Sequence, residues 1–281
     1  MGKSSAEGES SLFRVNADSC IRCGACVWDC AFQALKTAED GLPVLADPKK
    51  CMRCQHCLAV CPKGAVSIDG CTADQCIPAV GAELPTTKAV ENWLALRRSV
   101  RHFADVDVDS KVLESILETL GNTPTGCNAG ALTLTCFSNR RSMATLREAF
   151  NRFSVPSEGQ TISRWLSVAL MRQRSGSEDL FFRGASGLLI VSSDPRKPSV
   201  ATPLEDVTIA CSNFELLANA HGIGTCWCGF LGLIEKEMPG LLEKLAGIPT
   251  GHPFVAMLFG HSAVRYSRGV VRKGLSRIVY R

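Results

Sequence analysis

The cysteines near the start of the chain form a repeat that limits its possible folds more than any other feature. The spacing C-x2-C-x2-C-x3-C runs from Cys20 to Cys30 and returns from Cys51 to Cys61, 31 positions later. The repeat extends past the thiols, because Ala34-Leu35 recurs as Ala65-Val66. Eight thiols in two matched sets are too regular to be core residues, so the repeat predicts two copies of one metal-binding unit.

The spacing within each copy favours an iron–sulfur cluster. Three closely spaced cysteines point three sulfurs at one spot, and the fourth cysteine of such a set ligates the cluster of the other set. We therefore expect two [4Fe–4S] clusters with crossed ligands. The first would be held by Cys20, Cys23, Cys26 and Cys61, and the second by Cys51, Cys54, Cys57 and Cys30.

A pair of zinc sites is the alternative, because C-x2-C is also a zinc signature. Zinc usually takes two ligands from each of two knuckles, and the spacing found here argues against it. The segment resembles the bacterial-type two-cluster ferredoxin family. Pro62 follows Cys61 as that pattern requires, whereas Ala31 follows Cys30, and this departure concerns the environment of the second cluster.

The whole chain is long enough for two domains, at 281 residues. Its 15 cysteines do not indicate a secreted disulfide scaffold, since the chain is not short and residues 1–19 are polar. Cluster thiolates need a reducing compartment, so we expect a cytoplasmic protein, and no apolar run is long enough for a membrane span. The net charge is +4, with the basic excess in residues 86–281, but no arginine-rich run predicts nucleic-acid binding.

The sequence divides into four segments. We expect a disordered tail over 1–11, a ferredoxin-like domain over 12–76, a linker over 77–88 and a second domain over 89–281. Short strands are predicted at 13–15, 42–44 and 65–68. In the second domain, helices are predicted at 109–120, after Ser142 and from a capping box at Thr202–Glu205 to Gly222, and strands at 131–137, 187–191 and 253–259. Residues 154–184 are the least regular part and the predicted substrate cover.

This order of helices and strands predicts a mixed α/β sandwich. No G-x-G-x-x-G motif is present, so a Rossmann domain is not expected. Three stretches are hard to explain as core residues. They are the arginine cluster Arg97-Arg98-Ser99-Val100-Arg101, the turn Pro124–Asn128, and the segment Gly222–Phe230, in which a helix ends beside an aromatic residue.

Together these stretches resemble the FMN-dependent nitroreductase family, and the resemblance runs through most of residues 90–275. It includes Arg-Arg-Ser-Val-Arg-His-Phe103, Glu205-Asp206, Gly-Ile-Gly-Thr-Cys-Trp227 and Leu258-Phe-Gly260. The resemblance implies an α+β homodimer with two FMN sites at the subunit interface. The whole chain is then similar to a ferredoxin–nitroreductase fusion, with a small two-cluster domain followed by a nitroreductase-like α/β sandwich.

The resemblance also implies which residues contact FMN. The arginine cluster should contact the phosphate, ribityl chain and pyrimidine ring, and Asn128 of the partner subunit should lie at the ring edge. Cys228 and Gly229 should approach N5 through their backbone, with Trp227 adjacent. Two basic residues should complete the phosphate site. The implied contacts are Arg97, Arg98, Ser99, Arg101, Asn128, Trp227, Cys228, Gly229, Arg272 and Lys273, with Arg268 a weaker candidate.

These cofactors imply an oxidoreductase in which no protein side chain needs to act as a catalyst. We expect a low-potential donor, such as a ferredoxin, to reduce the clusters, and electrons to pass through FMN to a small organic acceptor of the nitro, quinone or enone class. Two alternatives stay open. NAD(P)H could reduce FMN and the clusters could feed a partner protein, or the chain could be a non-catalytic redox sensor.

Overall fold

A computed structural model describes residues 12–176, 178–271, 274 and 277–281. The tail predicted over 1–11 lies outside the described residues, as do Arg272 and Lys273. The chain forms two compact units, Met1–Pro85 and Thr86–Arg281. The predicted linker spans this division and overlaps a helix that begins at Thr87.

The first unit combines short strands with one-turn helices. In chain order these are β1 (Phe13–Val15), α1 (Ala25–Trp28), β2 (Leu35–Thr37), β3 (Pro43–Leu45), α2 (His56–Ala59) and β4 (Val66–Ile68). Strand β1 pairs with β4 and β2 pairs with β3, both antiparallel. The three strands predicted in this unit are confirmed to within one residue.

The cysteine repeat is also a backbone repeat. Helices α1 and α2 follow left-handed residues at equivalent positions, Gly24 with φ 72° and Gln55 with φ 62°. Arg22 and Arg53, also equivalent, have φ values of 55° and 52°. Left-handed arginines are uncommon, so the two copies share an unusual loop as well as a spacing.

The second unit is a four-stranded antiparallel sheet with seven helices in its described residues. The strands are β5 (Leu132–Phe137), β6 (Gly187–Ser193), β7 (Gly224–Trp227) and β8 (Phe254–Gly260), in the spatial order β5-β6-β8-β7. The helices are α3 (Thr87–Leu96), α4 (Ser110–Thr119), α5 (Arg140–Phe153), α6 (Arg164–Arg174), α7 (Pro203–Ala220), α8 (Gly229–Glu237) and α9 (Leu241–Ala246).

Helices cover both faces of this sheet. Because side chains alternate along a strand, Leu188 and Ile190 of β6 join one core, while Leu189 and Val191 join the other. Helices α5, α6, α8 and α9 contribute to the first core, and α4 and α7 to the second. The predicted α/β sandwich is therefore confirmed.

Two predictions about local structure are wrong. Residues 154–184 contain the eleven-residue helix α6, whose Leu166, Ala169 and Leu170 are buried. Three arginines and one glutamine lie at the two ends of this helix, and they hide the helical spacing of the apolar residues between them. The predicted capping box is also absent, because the Thr202 hydroxyl donates to Asp206 Oδ1 at 3.0 Å instead of accepting a backbone N–H.

Helix α5 begins earlier than Ser142, the predicted cap. Asn139 caps it by accepting from the Ser142 N–H at 2.9 Å, and the Ser142 hydroxyl accepts from the Asn139 N–H in return. Strand β7 was not expected, because Gly222–Phe230 was interpreted as the end of a helix with exposed backbone beside an aromatic residue. None of the helices in the described residues is long and apolar enough to cross a membrane.

Candidate cofactor and active site

The two predicted cluster ligand sets line two separate cavities in the first unit. One cavity is lined by Cys20, Cys23, Cys26 and Cys61, together with neighbouring backbone. The other is lined by Cys30, Cys51, Cys54 and Cys57. Each cavity thus receives three cysteines from one copy and the fourth from the other copy. Cys71 and Cys76, which fit neither set in sequence, line neither cavity.

The fourth cysteine of each copy accepts a backbone hydrogen bond. The Ala34 N–H donates to Cys30 Sγ and the Ala65 N–H donates to Cys61 Sγ, both at 3.3 Å. Such N–H···S bonds stabilise a thiolate and are among the features that set the potential of an iron–sulfur cluster. The cysteines that line each cavity therefore match one of the two expected ligand sets.

Burial works against ionisation of the inner thiols. It raises the pKa of Cys26, and it raises the pKa of Cys57 to about 11. A buried thiolate needs positive charge beside it, and cluster iron supplies that charge when it binds. Cys23 and Cys54, by contrast, are exposed, so each cavity has one ligand at the surface.

In the second unit the arginine cluster lies against β7. The Val100 N–H donates to the Thr225 carbonyl at 2.8 Å, and Ser99 forms a parallel bridge with Thr225. A Cβ on Gly224 would lie 2.6 Å from Val100 Cγ2, so the close approach requires glycine there. The tertiary structure thereby brings together two sequence motifs that are more than a hundred residues apart.

Beside β7 opens a pocket of about 480 Å³. Its lining contains Trp227, Cys228 and Gly229, which were predicted, and Phe181, Phe230, Leu233 and Leu258, which form an apolar floor. Two guanidinium groups, Arg101 and Arg183, lie in its wall. A large apolar surface with cations beside it fits a flat aromatic ring with an anionic tail, which is the shape and charge of FMN.

The buried carboxylate of Glu215 links the arginine cluster to strand β7 and to the pocket residue Trp227. Glu215 is 5% exposed, and its carboxylate accepts hydrogen bonds from Arg97 Nη1 at 3.1 Å, Thr225 Oγ1 at 3.2 Å and Trp227 Nε1 at 3.3 Å. Sequence reasoning missed this residue, although a signal exists. Glu215 is a carboxylate four residues after buried Cys211 and three before buried Ala218, hence on the apolar face of α7.

The other predicted FMN contacts lie elsewhere or outside the described residues. Asn128 is exposed on a turn with φ 51°, and this turn is held by the Gly126 N–H, which donates to Asp206 Oδ1 at 2.8 Å. Asn128 does not line the pocket of its own chain. Arg98 is half-buried and Ser99 lies on the bridge to β7. Arg272 and Lys273 lie outside the described residues.

Arg268 lies on a segment that passes close to the end of α3. A Cβ on Gly269 would be 2.7 Å from the Ala95 carbonyl oxygen, so the two backbones nearly touch. Arg97 follows Ala95 by two residues, and the segment therefore comes near the arginine cluster. Arg268 is exposed there.

The thiols of Cys226 and Cys228 are packed into the pocket wall. Burial raises the pKa of Cys228 to about 12 and also raises that of Cys226, which nearby Arg101 and Arg183 partly counteract. Both side chains belong to the core that includes α8. They remain protonated thiols at neutral pH, as expected of packing residues.

Comparisons with known proteins assign the two units to different groups. Residues 94–261 match the Nitroreductase family, and residues 19–65 match the 4Fe-4S dicluster domain. A ferredoxin of Pyrobaculum islandicum is 34% identical over 86 residues, which cover 31% of this chain and 69% of the ferredoxin. One component of the Na(+)-translocating ferredoxin:NAD(+) oxidoreductase complex of Acetobacterium woodii is 41% identical over 49 residues, which are 17% of this chain and 14% of that component.

A solved structure supports the fold of the second unit. The crystal structure of a nitroreductase with bound FMN from Bacteroides fragilis superposes with a TM-score of 0.53 at 24% identity. The match covers 69% of this chain and 100% of the other. The antiparallel sheet with helices on both faces is therefore a known arrangement.

Proposed function

Because the chain belongs to the nitroreductase family and residues 19–65 form a 4Fe-4S dicluster domain, we propose that it carries electrons from a low-potential donor to a small organic acceptor. Iron–sulfur and nitroreductase domains in one chain make it an electron-transfer oxidoreductase, FMN-dependent in its second unit. The observation that carries the proposal is the open pocket beside Cys228 and Gly229. Its apolar floor and two cations suit both a flavin ring and a flat acceptor.

We assign the clusters to the two cysteine-lined cavities. Cys20, Cys23, Cys26 and Cys61 would hold one, and Cys51, Cys54, Cys57 and Cys30 the other. The exposed Cys23 and Cys54 bring one edge of each site to the surface, where a protein donor such as a ferredoxin can approach. The Ala34 and Ala65 N–H groups, which donate to Cys30 Sγ and Cys61 Sγ, would help to set the potential of each cluster.

We assign the pocket and the adjoining arginine cluster to FMN. Arg101 stands in the pocket wall, where its charge suits the cofactor's polar ring atoms or phosphate, while Trp227, Cys228 and Gly229 line the other side. Arg97 is held by Glu215, which leaves the rest of its guanidinium fork for the cofactor. Arg98, Ser99, Arg272, Lys273 and, from a partner subunit, Asn128 complete the proposed contacts.

The protein residues bind and shield, and none is required as an acid or base. When bound, FMN exchanges electrons singly or in pairs and each cluster exchanges one, so together they connect a one-electron donor to a two-electron acceptor. Phe181, Phe230 and Leu233 give the pocket an apolar lining. Trp165 stacks on Phe230 with ring centroids 5.5 Å apart and extends this apolar wall.

A homodimer is part of the proposal. Helix α3, which the structure describes in full, contains no buried residue, and its Val90, Leu94 and Leu96 are 43%, 61% and 55% exposed. An amphipathic helix normally buries its apolar face, so a second copy of the chain is the expected cover. The same partner would bring its Asn128 to the flavin edge.

The test is an anaerobic reduction experiment. The purified protein should contain roughly eight irons per chain, as two cubane clusters require, together with bound FMN. Reduced ferredoxin should bleach the flavin absorbance quickly, and NAD(P)H should not. Bleaching by NAD(P)H alone would reverse the proposed direction, and cofactor binding without turnover of any nitro, quinone or enone acceptor would favour a sensor.

A pair of cysteine variants shows whether the clusters lie on the route. Cys57→Ser removes one proposed ligand, whereas Cys76→Ser changes an exposed cysteine that lines neither cavity. Cys57→Ser should slow flavin bleaching by ferredoxin, and Cys76→Ser should behave as wild type. Equal bleaching rates in all three proteins would contradict the relay.

A further inference from the structure

One arginine of the pocket has no role in the cofactor assignment. Arg183 lines the pocket together with Phe181, and its guanidinium carbon is 5.8 Å from the centroid of the Phe230 ring. The sequence placed it only within residues 154–184, the predicted substrate cover. Arg183 shares the pocket lining with Cys228 and Gly229, the residues proposed to lie beside the reacting part of the flavin.

The backbone of Arg183 is held in an unusual conformation. Its φ is 54°, in the left-handed region that side-chain-bearing residues seldom adopt. The Arg183 N–H donates to the Asp179 carbonyl and the Gly184 N–H donates to Asp179 Oδ2, both at 2.7 Å. Backbone strain of this kind persists only where the surroundings enforce it, and it concentrates at functional sites.

Those surroundings are a partly buried polar network on Asp179. Arg147 Nε donates to Asp179 Oδ2 at 2.9 Å and Gln173 Nε2 donates to Asp179 Oδ1 at 3.1 Å. Arg147 Nη2 also donates to the Ala185 carbonyl at 2.9 Å. These hydrogen bonds hold the backbone on both sides of Arg183. The backbone therefore directs the Arg183 side chain toward the pocket that it lines.

No carboxylate of the described residues neutralises the charge of Arg183. Arg97 and Arg147, two partly buried arginines of the second unit, each have a carboxylate within 3.1 Å. Within the residues that the structure describes, neither Arg183 nor Arg101 has a carboxylate within salt-bridge distance. A half-buried guanidinium over an aromatic ring, with no counter-ion, is an anion-binding group awaiting its ligand.

Two anions could use this group, the FMN phosphate and a carboxylate of the acceptor. The phosphate has other candidates in the arginine cluster and the carboxy-terminal basic residues. Arg183 instead lies over the Phe230 ring, beside the apolar lining against which a flat acceptor would stack. We infer that Arg183 selects flat acceptors that carry a carboxylate, an inference that rests on the proposed function of the same pocket.

The test compares two probes of equal shape that differ only in charge. Benzoate and benzamide are titrated by calorimetry into the FMN-loaded wild type and into Arg183→Gln, Arg183→Lys and Arg141→Gln. Arg141 is exposed on α5 and does not line the pocket, so its variant removes one positive charge elsewhere. FMN per chain is measured for each protein.

The wild type should bind benzoate about tenfold more tightly than benzamide, the typical gain from one charge-assisted hydrogen bond. Arg183→Gln should lose this preference without losing FMN, while Arg183→Lys should keep most of it and Arg141→Gln all of it. In turnover, Arg183→Gln should raise the KM for 4-nitrobenzoate with little change in kcat, and leave 4-nitrobenzamide unaffected.

Three outcomes have different meanings. Equal affinity of the wild type for the two probes, or an unchanged preference in Arg183→Gln, overturns the inference while the proposed function stands. Loss of FMN from Arg183→Gln also overturns it, because Arg183 would then belong to the cofactor. A wild type that holds no FMN overturns the proposed function and the inference with it.

Discussion

The guanidinium of Arg97 donates to the carboxylate of Glu215 over 3.1 Å, although 118 residues separate them along the chain. Glu215 also accepts from Thr225 Oγ1 and Trp227 Nε1, at 3.2 and 3.3 Å. One buried charge thus holds the arginine cluster and the pocket wall in a common geometry. Removing it should affect both stability and the cofactor site.

The first prediction is that Glu215→Ala destabilises the second unit by roughly 3 kcal/mol, because it leaves the buried Thr225 hydroxyl and the half-buried donors of Arg97 and Trp227 without their acceptor. Arg97 keeps some solvent access, with 21% of its side chain exposed, so we expect no larger cost. Thermal unfolding of the anaerobic protein should show a midpoint lowered by about 6–12 °C.

Two variants accompany this measurement. Glu215→Gln keeps an acceptor of the same shape and should lie between wild type and Glu215→Ala. Glu148→Ala removes an exposed carboxylate of α5 and should leave the midpoint unchanged. A Glu215→Ala midpoint equal to that of Glu148→Ala would mean that the Arg97–Glu215 pair contributes nothing to stability.

The second prediction concerns FMN affinity. Arg101→Gln should raise the Kd for FMN by about tenfold or more, because a charge-assisted contact to an anionic cofactor is lost. The effect should shrink as salt is added, since the side chain of Arg101 is exposed and its charge is screened. FMN retained after ultrafiltration at several salt concentrations measures it, with Arg141→Gln as the charge-matched control.

The third prediction tests the crossed cluster ligands. Cys61→Ser and Cys20→Ser should disturb the same cluster, because both residues line one cavity. Cys30→Ser should instead disturb the cluster of Cys51→Ser. Electron paramagnetic resonance of the reduced proteins distinguishes the two clusters, and each variant should lose up to about four irons per chain. If Cys61→Ser gave the spectrum of Cys51→Ser, the crossing would be wrong.

The fourth prediction is a loss of stability at alkaline pH. Burial raises the pKa of the Cys228 thiol from 9.0 to about 12 in the folded protein. Below pH 9 the thiol is protonated in both states and folding is unaffected. Between about pH 9 and 12 only the unfolded state releases the proton, so stability falls by up to about 1.4 kcal/mol per pH unit.

Unfolding midpoints at pH 8, 9, 10 and 10.5 measure this slope. Cys228→Ala removes the thiol and should flatten the slope relative to wild type, even if its midpoint is lower throughout. Cys76→Ala changes an exposed cysteine and should retain the wild-type slope. Parallel pH profiles for all three proteins would show that Cys228 ionises as readily in the folded state as in the unfolded one.

Local patterns predicted much of this fold. The strands at 13–15 and 131–137 and the helix at 109–120 were found within one or two residues, because their apolar residues recur at the period of the element that they form. Helix α6 and strand β7 were missed. Arginines interrupt the first, and the second is only four residues long, with glycine at its start.

Some residues of the candidate sites were predicted and others were missed. The spacing of the cysteines from Cys20 to Cys61 predicted the cluster ligands, and the family resemblance covers Trp227, Cys228 and Gly229. Glu215 and Arg183 belong to no motif. Glu215 acquires its role through Arg97, which is distant in the sequence. Arg183 acquires its role through the hydrogen bonds of Asp179, which fix the backbone beside it.

The sequence by itself therefore determined the iron–sulfur chemistry of the first part, through the spacing of its cysteines, and most helices and strands of the second part, through local periodicity. The FMN-dependent chemistry of the second part followed from its resemblance to the nitroreductase family. The tertiary structure decided which cysteines share a cavity, that the arginine cluster runs beside β7, and that Arg183 faces the pocket without a counter-ion among the described residues. Those relationships arise from antiparallel pairing and buried hydrogen bonds between distant segments, and no local pattern of residues encodes such distances.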